Sequence, residues 1–163
     1  MNNGCVRFWL LVGAAVTALP LSGCSRATST PAPCAPHVVD GVIPSWAQAG
    51  FSPPNPTMHY ALGSSGHIVA LLWAFPLESP PPATHSNKIL WVSRLPNSGS
   101  ALLISAQQMV GSRPVGRLVH RQIMGGPGPS IINVPTVGCW RFSLRWSGHS
   151  DHLDLDYATS AAG

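Results

Sequence analysis

Apolar and polar residues alternate most regularly near the carboxyl end of the chain. Large apolar residues occupy every second position from Cys139 to Trp146, and a similar alternation returns from His152 to Tyr157. A period of two predicts a strand with one buried face. Residues 147–151 between the two segments predict a hairpin loop, so these strands are expected to pair antiparallel.

Six further segments are short and rich in β-branched and aromatic residues. Glycine, proline, serine or asparagine separates nearly all of them, and they cover residues 58–62, 67–75, 88–94, 101–107, 115–124 and 130–134. Segments of this length with turn residues at such intervals are typical of an antiparallel sandwich or barrel. The pattern therefore predicts an all-β domain of about seven or eight strands over residues 58–163.

Two of the six segments have a mixed pattern. Residues 68–74 are apolar on both sides, which predicts a strand covered on both faces, with a short buried helix as the alternative. In the segment 115–124 and just before it, arginines recur every four residues from Arg113 to Arg121, as on a helix. Gly116 and the surrounding valines favour a strand there instead.

Residues 37–57 predict an irregular arm ahead of this domain. Prolines at positions 44, 53, 54 and 56 argue against a regular helix or a central strand. Trp46 and Phe51 are expected to pack the arm onto the domain.

The first 24 residues predict export. Arg7 precedes an apolar stretch, Phe8–Leu19, and the segment Leu21–Cys24 supplies small residues for a cleavage site. Its spacing resembles the lipobox of bacterial lipoproteins, which implies a signal peptide over residues 1–23 and a diacylglycerol thioether on Cys24. One alternative is a transmembrane helix, which Pro20 makes too short; the other is an ordinary secretory signal that leaves a plain thiol.

Residues 24–36 predict a flexible tether. The segment is small, polar and punctuated by proline, so it cannot bury enough apolar surface to fold alone. With an acylated Cys24 at its start, it would hold the domain at the extracytoplasmic face of the cell membrane. Two or three acyl chains would make that membrane anchor effectively permanent.

The charge balance excludes one class of partner. Beyond residue 23 the chain has eight Lys or Arg against five Asp or Glu, a net charge of +3. Nucleic-acid binding normally requires a denser basic patch interleaved with stacking aromatic residues. No nucleic-acid partner is therefore expected.

Cysteine usage predicts one disulfide. Cleavage removes Cys5 and lipidation uses Cys24, which leaves Cys34 and Cys139 to bond in an oxidising envelope. The alternation places Cys139 on the side of the strand away from the apolar residues, so the bond is expected to fasten the amino-terminal arm to the outside of the sandwich. Two free thiols or a metal-binding pair are the alternatives.

Three blocks of the chain resemble an uncharacterised family of actinobacterial-type envelope lipoproteins with a single β-sandwich domain. The blocks are residues 43–54, residues 87–94, and residues 125–130 running on to 138–142. The resemblance implies an antiparallel immunoglobulin-like β-sandwich. It implies no reaction, ligand or cofactor, because topology does not assign a function.

Catalytic motifs are missing from the sequence. It contains no Gly-x-Ser-x-Gly, His-Glu-x-x-His, Ser-x-x-Lys or Cys-x-x-Cys. Glu78 is the only glutamate, and prolines in the loop 125–129 remove amides that a phosphate cradle needs. We therefore expect no enzyme activity and no cofactor; an envelope hydrolase would need Ser, His and Asp to meet in one cleft.

A metal site is the strongest chemical hypothesis in the sequence. His149, Asp151, His152 and Asp154, with Asp156 on the same strand, could supply imidazole and carboxylate ligands for zinc or copper. A polar turn and a solvated strand face explain the same residues without a metal. A weaker set for Cu(I) comprises Met58, His59, His120 and Met124.

Four arginines predict a basic surface. Arg117, Arg121, Arg141 and Arg145 could recruit an anionic lipid head group, an anionic cell-wall component or an acidic envelope protein. Ordinary solubilising arginines on outward strand positions are the alternative.

Together these patterns favour a lipid-anchored, non-catalytic binding or scaffolding module of the cell envelope. The alternative is an exported carrier of zinc or copper.

Overall fold

The computed structural model describes residues 32–160. The predicted signal peptide, the predicted lipidation at Cys24 and most of the predicted tether lie outside these residues. Within the described part, no helix has the length and hydropathy needed to cross a bilayer.

Ten strands over residues 32–160 form two five-stranded sheets. They are β1 (Val39–Val42), β2 (Thr57–Leu62), β3 (Ile68–Leu72), β4 (Leu77–Glu78), β5 (Lys88–Ser93), β6 (Leu102–Val110), β7 (Arg113–Ile123), β8 (Pro129–Ile131), β9 (Gly138–Trp146) and β10 (His149–Ala158). The first sheet has the order β1-β2-β3-β5-β8 and the second β4-β10-β9-β6-β7. The predicted all-β sandwich is confirmed, with β1 and β4 as strands that the sequence pattern did not predict.

The strand order from β3 onward is immunoglobulin-like. Strands β3, β5 and β8 take the places of A, B and E, and β10, β9, β6 and β7 those of G, F, C and C′. Neighbouring strands are antiparallel, except for the parallel pair of β4 and β10. Strands β1 and β2 extend the first sheet beyond this pattern.

Aromatic side chains fill the space between the two sheets. The Phe142 ring lies 6.1 Å from that of Trp91 and stacks on Tyr157 at 6.4 Å. The hydroxyl of Tyr157 donates to the Ile132 carbonyl at 2.9 Å, and burial raises the pKa of Tyr157 well above its ordinary value. Each buried side chain of this size contributes about 1.5–3 kcal/mol, so these residues account for much of the core's stability.

The arm covers the outer face of the first sheet and forms a third layer. Ile43 and Ala47 pack on Val69 and Leu71 of β3, with Trp46 and Phe51 among the partly buried residues around them. All five residues of β3 are buried, which confirms the predicted strand covered on both faces. The predicted packing of Trp46 and Phe51 is confirmed too.

The arm is more regular than predicted at its start. Residues 39–42 form β1, which pairs antiparallel with β2 from Val39 opposite Tyr60 to Val42 opposite Thr57. The prediction of an irregular segment was wrong here because all four prolines lie beyond β1, and an edge strand needs hydrogen bonds on only one side.

The last hairpin has a tighter turn than predicted. Strand pairing continues to Trp146 opposite His149, so the turn contains only Ser147 and Gly148. Both residues have positive φ, 46° and 79°, as a two-residue type I′ turn requires. The predicted five-residue loop was therefore wrong, and its last three residues belong to β10.

Strand β7 forms the far edge of the second sheet and carries Arg113, Arg117 and Arg121. Ala106 faces Val119 and Gln108 faces Val115, so three residues of β7 oppose the single Gln107 in a bulge around Gly116, whose φ is 67°. Charged residues and bulges on an edge strand discourage pairing with other chains. The predicted strand is confirmed.

Candidate functional site

The chain enters the folded domain across the outer face of the second sheet. The predicted disulfide is confirmed: Cys34 bonds Cys139 of β9, with 6.2 Å between their Cα atoms. The Cys34 amide also donates to the Gly111 carbonyl at 2.8 Å. As expected, the bond lies outside the sandwich.

An ion pair beside the disulfide holds the entering chain. Arg141 donates to both carboxylate oxygens of Asp154, at 2.8 and 2.9 Å, and also to the carbonyls of Ala32 and Pro33 at 3.0 and 3.2 Å. Asp154 in turn accepts from the Ala35 amide at 2.9 Å. Both side chains are committed to fastening residues 32–35 to the sheet.

The two pKa values in this pair shift in the directions that favour the charged forms. The hydrogen bond to Asp154 raises the pKa of Arg141 against the opposing effect of burial. Burial raises the pKa of Asp154, but its hydrogen bonds from Arg141 and Ala35 outweigh this effect and hold that pKa below its ordinary value.

The predicted zinc or copper ligands in the last hairpin are not brought together. His149 and Asp151 share one face of β10, whereas His152 and Asp154 share the other, because the whole segment is a strand rather than a loop. Asp154 is held by Arg141. Within residues 32–160, no three His, Cys, Asp or Glu side chains lie close enough together to bind a metal ion.

The weaker copper set is also separated. Met58 and His59 lie on β2 of the first sheet, while His120 lies on β7, the far edge of the second. His59 stacks on Phe75 at 4.3 Å, and His120 lies 3.1 Å from the Ser105 hydroxyl.

Asp151 is buried and fixes the turn between β2 and β3. Its carboxylate accepts from the amides of Ser65 and His67, both at 3.0 Å, from its neighbour His152 at 2.8 Å and from the Ser64 hydroxyl at 3.2 Å. Burial raises the pKa of Asp151, but these bonds outweigh it and leave the pKa below its ordinary value.

Ser64, His152 and Asp151 meet in space, as a hydrolase would require. The Ser64 hydroxyl lies 2.9 Å from His152 Nδ1, in a cleft of about 200 Å³. In a serine hydrolase, however, the carboxylate orients the imidazole, whereas here it bonds the serine and backbone amides. The amides of Ser65 and His67 already serve Asp151, so they are not free to stabilise an oxyanion. The bonds of Asp151 fasten the turn between β2 and β3 to β10.

The four predicted arginines do not form one surface. Arg141 is paired with Asp154, and Arg145 lies opposite the exposed Leu103 on the outer face. Arg121 instead lies opposite Ile104, whose side chain points into the core. Side chains of directly paired residues share a face, so Arg121 and Arg145 leave their strands on opposite faces.

A shallow groove runs along the outer face of the second sheet beyond the disulfide. It has a volume of about 670 Å³, and its lining includes Leu103, Leu118, His120 and Arg145. The two leucines are 49% and 47% exposed. Neither leucine was singled out from the sequence, because only the folded structure shows that both line this groove.

Two exposed aromatic stacks lie at one end of the first sheet. Trp73 is 52% exposed, stacks on Phe51 at 6.4 Å and has Lys88 Nζ 4.9 Å from its ring centre. Phe75 is 48% exposed and stacks on His59. We call these five residues the aromatic patch.

Local pairing fixes the position of Trp73. Strand β3 ends at Leu72, and the Trp73 amide still donates to the Lys88 carbonyl at 3.1 Å, which sets the indole beside that lysine. The sequence pattern included Trp73 in a strand buried on both faces, so its exposure was not predicted. The one signal in the sequence is Pro76. Proline has no backbone N–H for strand pairing, so it indicates that the strand ends before residue 76.

No family model matches this chain, and neither a curated protein nor a solved structure is significantly similar to it.

Proposed function

We propose that this protein is a non-catalytic binding module of the cell envelope, attached to the extracytoplasmic face of the cell membrane through an acylated Cys24. The lipobox-like order of residues 21–24 supports the attachment. The disulfide between Cys34 and Cys139 supports an exported location, since such bonds persist in oxidising compartments and are rare in the cytosol.

The aromatic patch is the observation that carries the binding role. The domain buries Trp91, Trp140 and Trp146 almost completely, yet leaves Trp73 and Phe75 about half exposed. Exposed apolar clusters mark interaction sites, and tryptophan is enriched among the residues that dominate binding energy at protein interfaces. We infer that the partner is a protein that contacts Trp73 and Phe75.

The non-catalytic part of the proposal is supported by the tasks that polar side chains already perform. Asp151 fixes a turn, and Arg141 with Asp154 fastens the entering chain. Within residues 32–160, no carboxylate hydrogen-bonds the imidazole of His152, which pairs with Ser64. Each of these groups is explained by stability alone.

Attachment is tested by comparing the wild-type chain with a Cys24→Ala variant in cells. We expect the wild-type protein in the membrane fraction with the mass of an acylated mature chain, and the variant unacylated and largely released from that fraction. Equal retention of both proteins, or an unmodified thiol at residue 24, would contradict the attachment.

Binding is tested by placing a photo-crosslinking amino acid at position 73 or 75 in cells. Val110 on β6 is the matched control, because it is also large, apolar and exposed but lies on the second sheet. We expect a protein adduct of the same mass from positions 73 and 75 and none from position 110. Equal yields at all three positions would contradict a patch-specific partner.

A further inference from the structure

The point at which the chain enters the domain limits where the membrane can lie. Ala32 is held by Arg141 on the outer face of the second sheet. Eight residue steps separate it from Cys24, and a fully extended chain spans at most about 3.6 Å per residue, so the anchor lies within about 30 Å of this face.

Positive charge is concentrated on the same sheet. Of the seven Lys and Arg in residues 32–160, five lie on β7 and β9. Four of them are free of carboxylate partners in the described part: Arg113, Arg117, Arg121 and Arg145.

The carboxylates on the outer face lie towards the other end of β9. Asp154 is neutralised by Arg141, and Asp156 lies opposite Cys139. Arg145 is four residues further along β9, about 13 Å away from Arg141 at the rise of a strand. At the groove end of this face, Arg145 therefore carries a positive charge with no carboxylate partner in the described part.

The groove adds apolar contacts to this charge. Leu103 lies directly opposite Arg145 and Leu118 lies nearby on β7, both half-exposed. An arginine fork matches phosphate oxygens in pairs, and adjacent leucines can contact the less polar layer beneath a lipid head group. The bilayer of an anchored protein offers both phosphate and apolar surface.

We propose that the outer face of the second sheet docks against anionic lipid head groups of the membrane that holds Cys24. The inference deepens the proposed function and rests on its lipid anchor. Because the tether keeps this surface near the bilayer, the effective concentration of head groups around it is on the order of millimolar. Weak binding to head groups is then sufficient to orient the domain. The aromatic patch, on the first sheet, then faces away from the bilayer and towards a partner.

The test measures how close each sheet lies to lipid. The protein is purified from membranes and incorporated into phosphatidylcholine vesicles with or without phosphatidylglycerol. If Cys24 proves unmodified, a lipid is coupled there chemically, so that failure of natural anchoring is separated from failure of docking. An environment-sensitive fluorophore is placed at Leu118→Cys or, as a control of similar exposure on the first sheet, at Val42→Cys.

We expect a head-group quencher to reduce the signal at position 118 severalfold more than at position 42, and only in vesicles that contain phosphatidylglycerol. Arg145→Glu should abolish this difference, whereas Arg94→Glu, a change to an exposed arginine just after β5 of the first sheet, should not. Unchanged circular dichroism would show that the variants are folded.

Four outcomes would overturn the proposal. Three concern quenching: equal quenching at both positions, quenching that does not depend on phosphatidylglycerol, and a loss of quenching with Arg94→Glu as large as with Arg145→Glu. A crosslink from position 118 to an acidic protein in cells, in place of lipid, would also overturn it.

Discussion

Arg141 and Asp154 face each other across β9 and β10 and join through two hydrogen bonds of 2.8 and 2.9 Å. The same two side chains hold the carbonyls of Ala32 and Pro33 and the amide of Ala35. One ion pair therefore links two neighbouring strands and the chain that crosses them.

Removing one partner should destabilise the domain measurably. Asp154→Asn leaves the largely buried Arg141 without its counter-charge, and we expect the free energy of unfolding to fall by about 1–3 kcal/mol. Chemical denaturation at neutral pH measures the change. Asp156→Asn, an exposed neighbour on the same strand, is the control; a similar loss in both variants would contradict a specific role for the pair.

Acid should weaken the fold through Asp151 and Asp154. Both have pKa values lowered from the ordinary 3.8, so their stabilising contribution is complete above that value. This contribution is lost as the pH falls from the ordinary pKa through the pKa of the folded state. In that range the unfolded chain binds protons more readily than the folded chain does, so acid favours unfolding. Denaturation midpoints between neutral and strongly acidic pH should show this decline.

The Asp151→Asn variant separates the two groups. It should be less stable at neutral pH because the buried amide replaces an oxygen that accepts hydrogen bonds, and its stability should vary less with acid than that of the wild type. An unchanged pH profile would contradict the role assigned to Asp151.

Loss of the disulfide should destabilise the domain without changing its fold. The bond closes a loop of 105 residues, and the chain-entropy estimate for such a loop is up to about 4.7 kcal/mol. We expect Cys34→Ala with Cys139→Ala to lower the free energy of unfolding by no more than this and to leave the near-ultraviolet signal of the core tryptophans intact. A molten spectrum would contradict that expectation.

Trp73→Ala should separate binding from stability. The side chain is half-exposed, so the variant should lose about 1 kcal/mol or less, largely its contact with Lys88. Trp146→Ala, in the core, should cost about 3–5 kcal/mol. Crosslinking from position 75 should disappear in Trp73→Ala; its persistence at wild-type yield would contradict the proposed contact.

Titration with Zn²⁺ or Cu⁺ tests the metal-carrier alternative. Because Asp151 and Asp154 face opposite sides of β10 and already hold other bonds, we expect no affinity tighter than micromolar from the last hairpin. His149→Ala and His152→Ala should leave any weak binding unchanged. Tight binding of Zn²⁺ or Cu⁺ that is lost in either variant would support the metal-carrier hypothesis.

The sequence predicts most of the second sheet because a strand that is buried on one face alternates apolar and polar residues, and this pattern is visible within a few residues. Strand β9 is the clearest case. The burial of β3 on both faces could also be predicted from the sequence. Apolar side chains that point to both sides of a strand need a covering layer on each side. The disulfide could be predicted because the expected cleavage and lipidation would leave only Cys34 and Cys139 to pair.

Other features depend on contacts between distant residues and leave no local pattern. Strand β4 has two residues and exists only because Tyr157 and Ala158 of β10 lie beside it. Asp151 looked like a loop residue because its partners, Ser65 and His67, lie more than 80 positions earlier. Trp73 lies just beyond the end of β3 and is half-exposed, although the apolar run that predicts the strand continues through it.

The position of the disulfide determines how this protein would respond to mechanical load. A pull on the chain ahead of Cys34 passes through the sulfur bridge into β9, which is hydrogen-bonded along both sides to β6 and β10. Such a strand must shear many bonds at once. Without the bridge the same force would load the hydrogen bonds that fasten residues 32–35 and then β1, which is paired on one side only and would peel away one residue pair at a time.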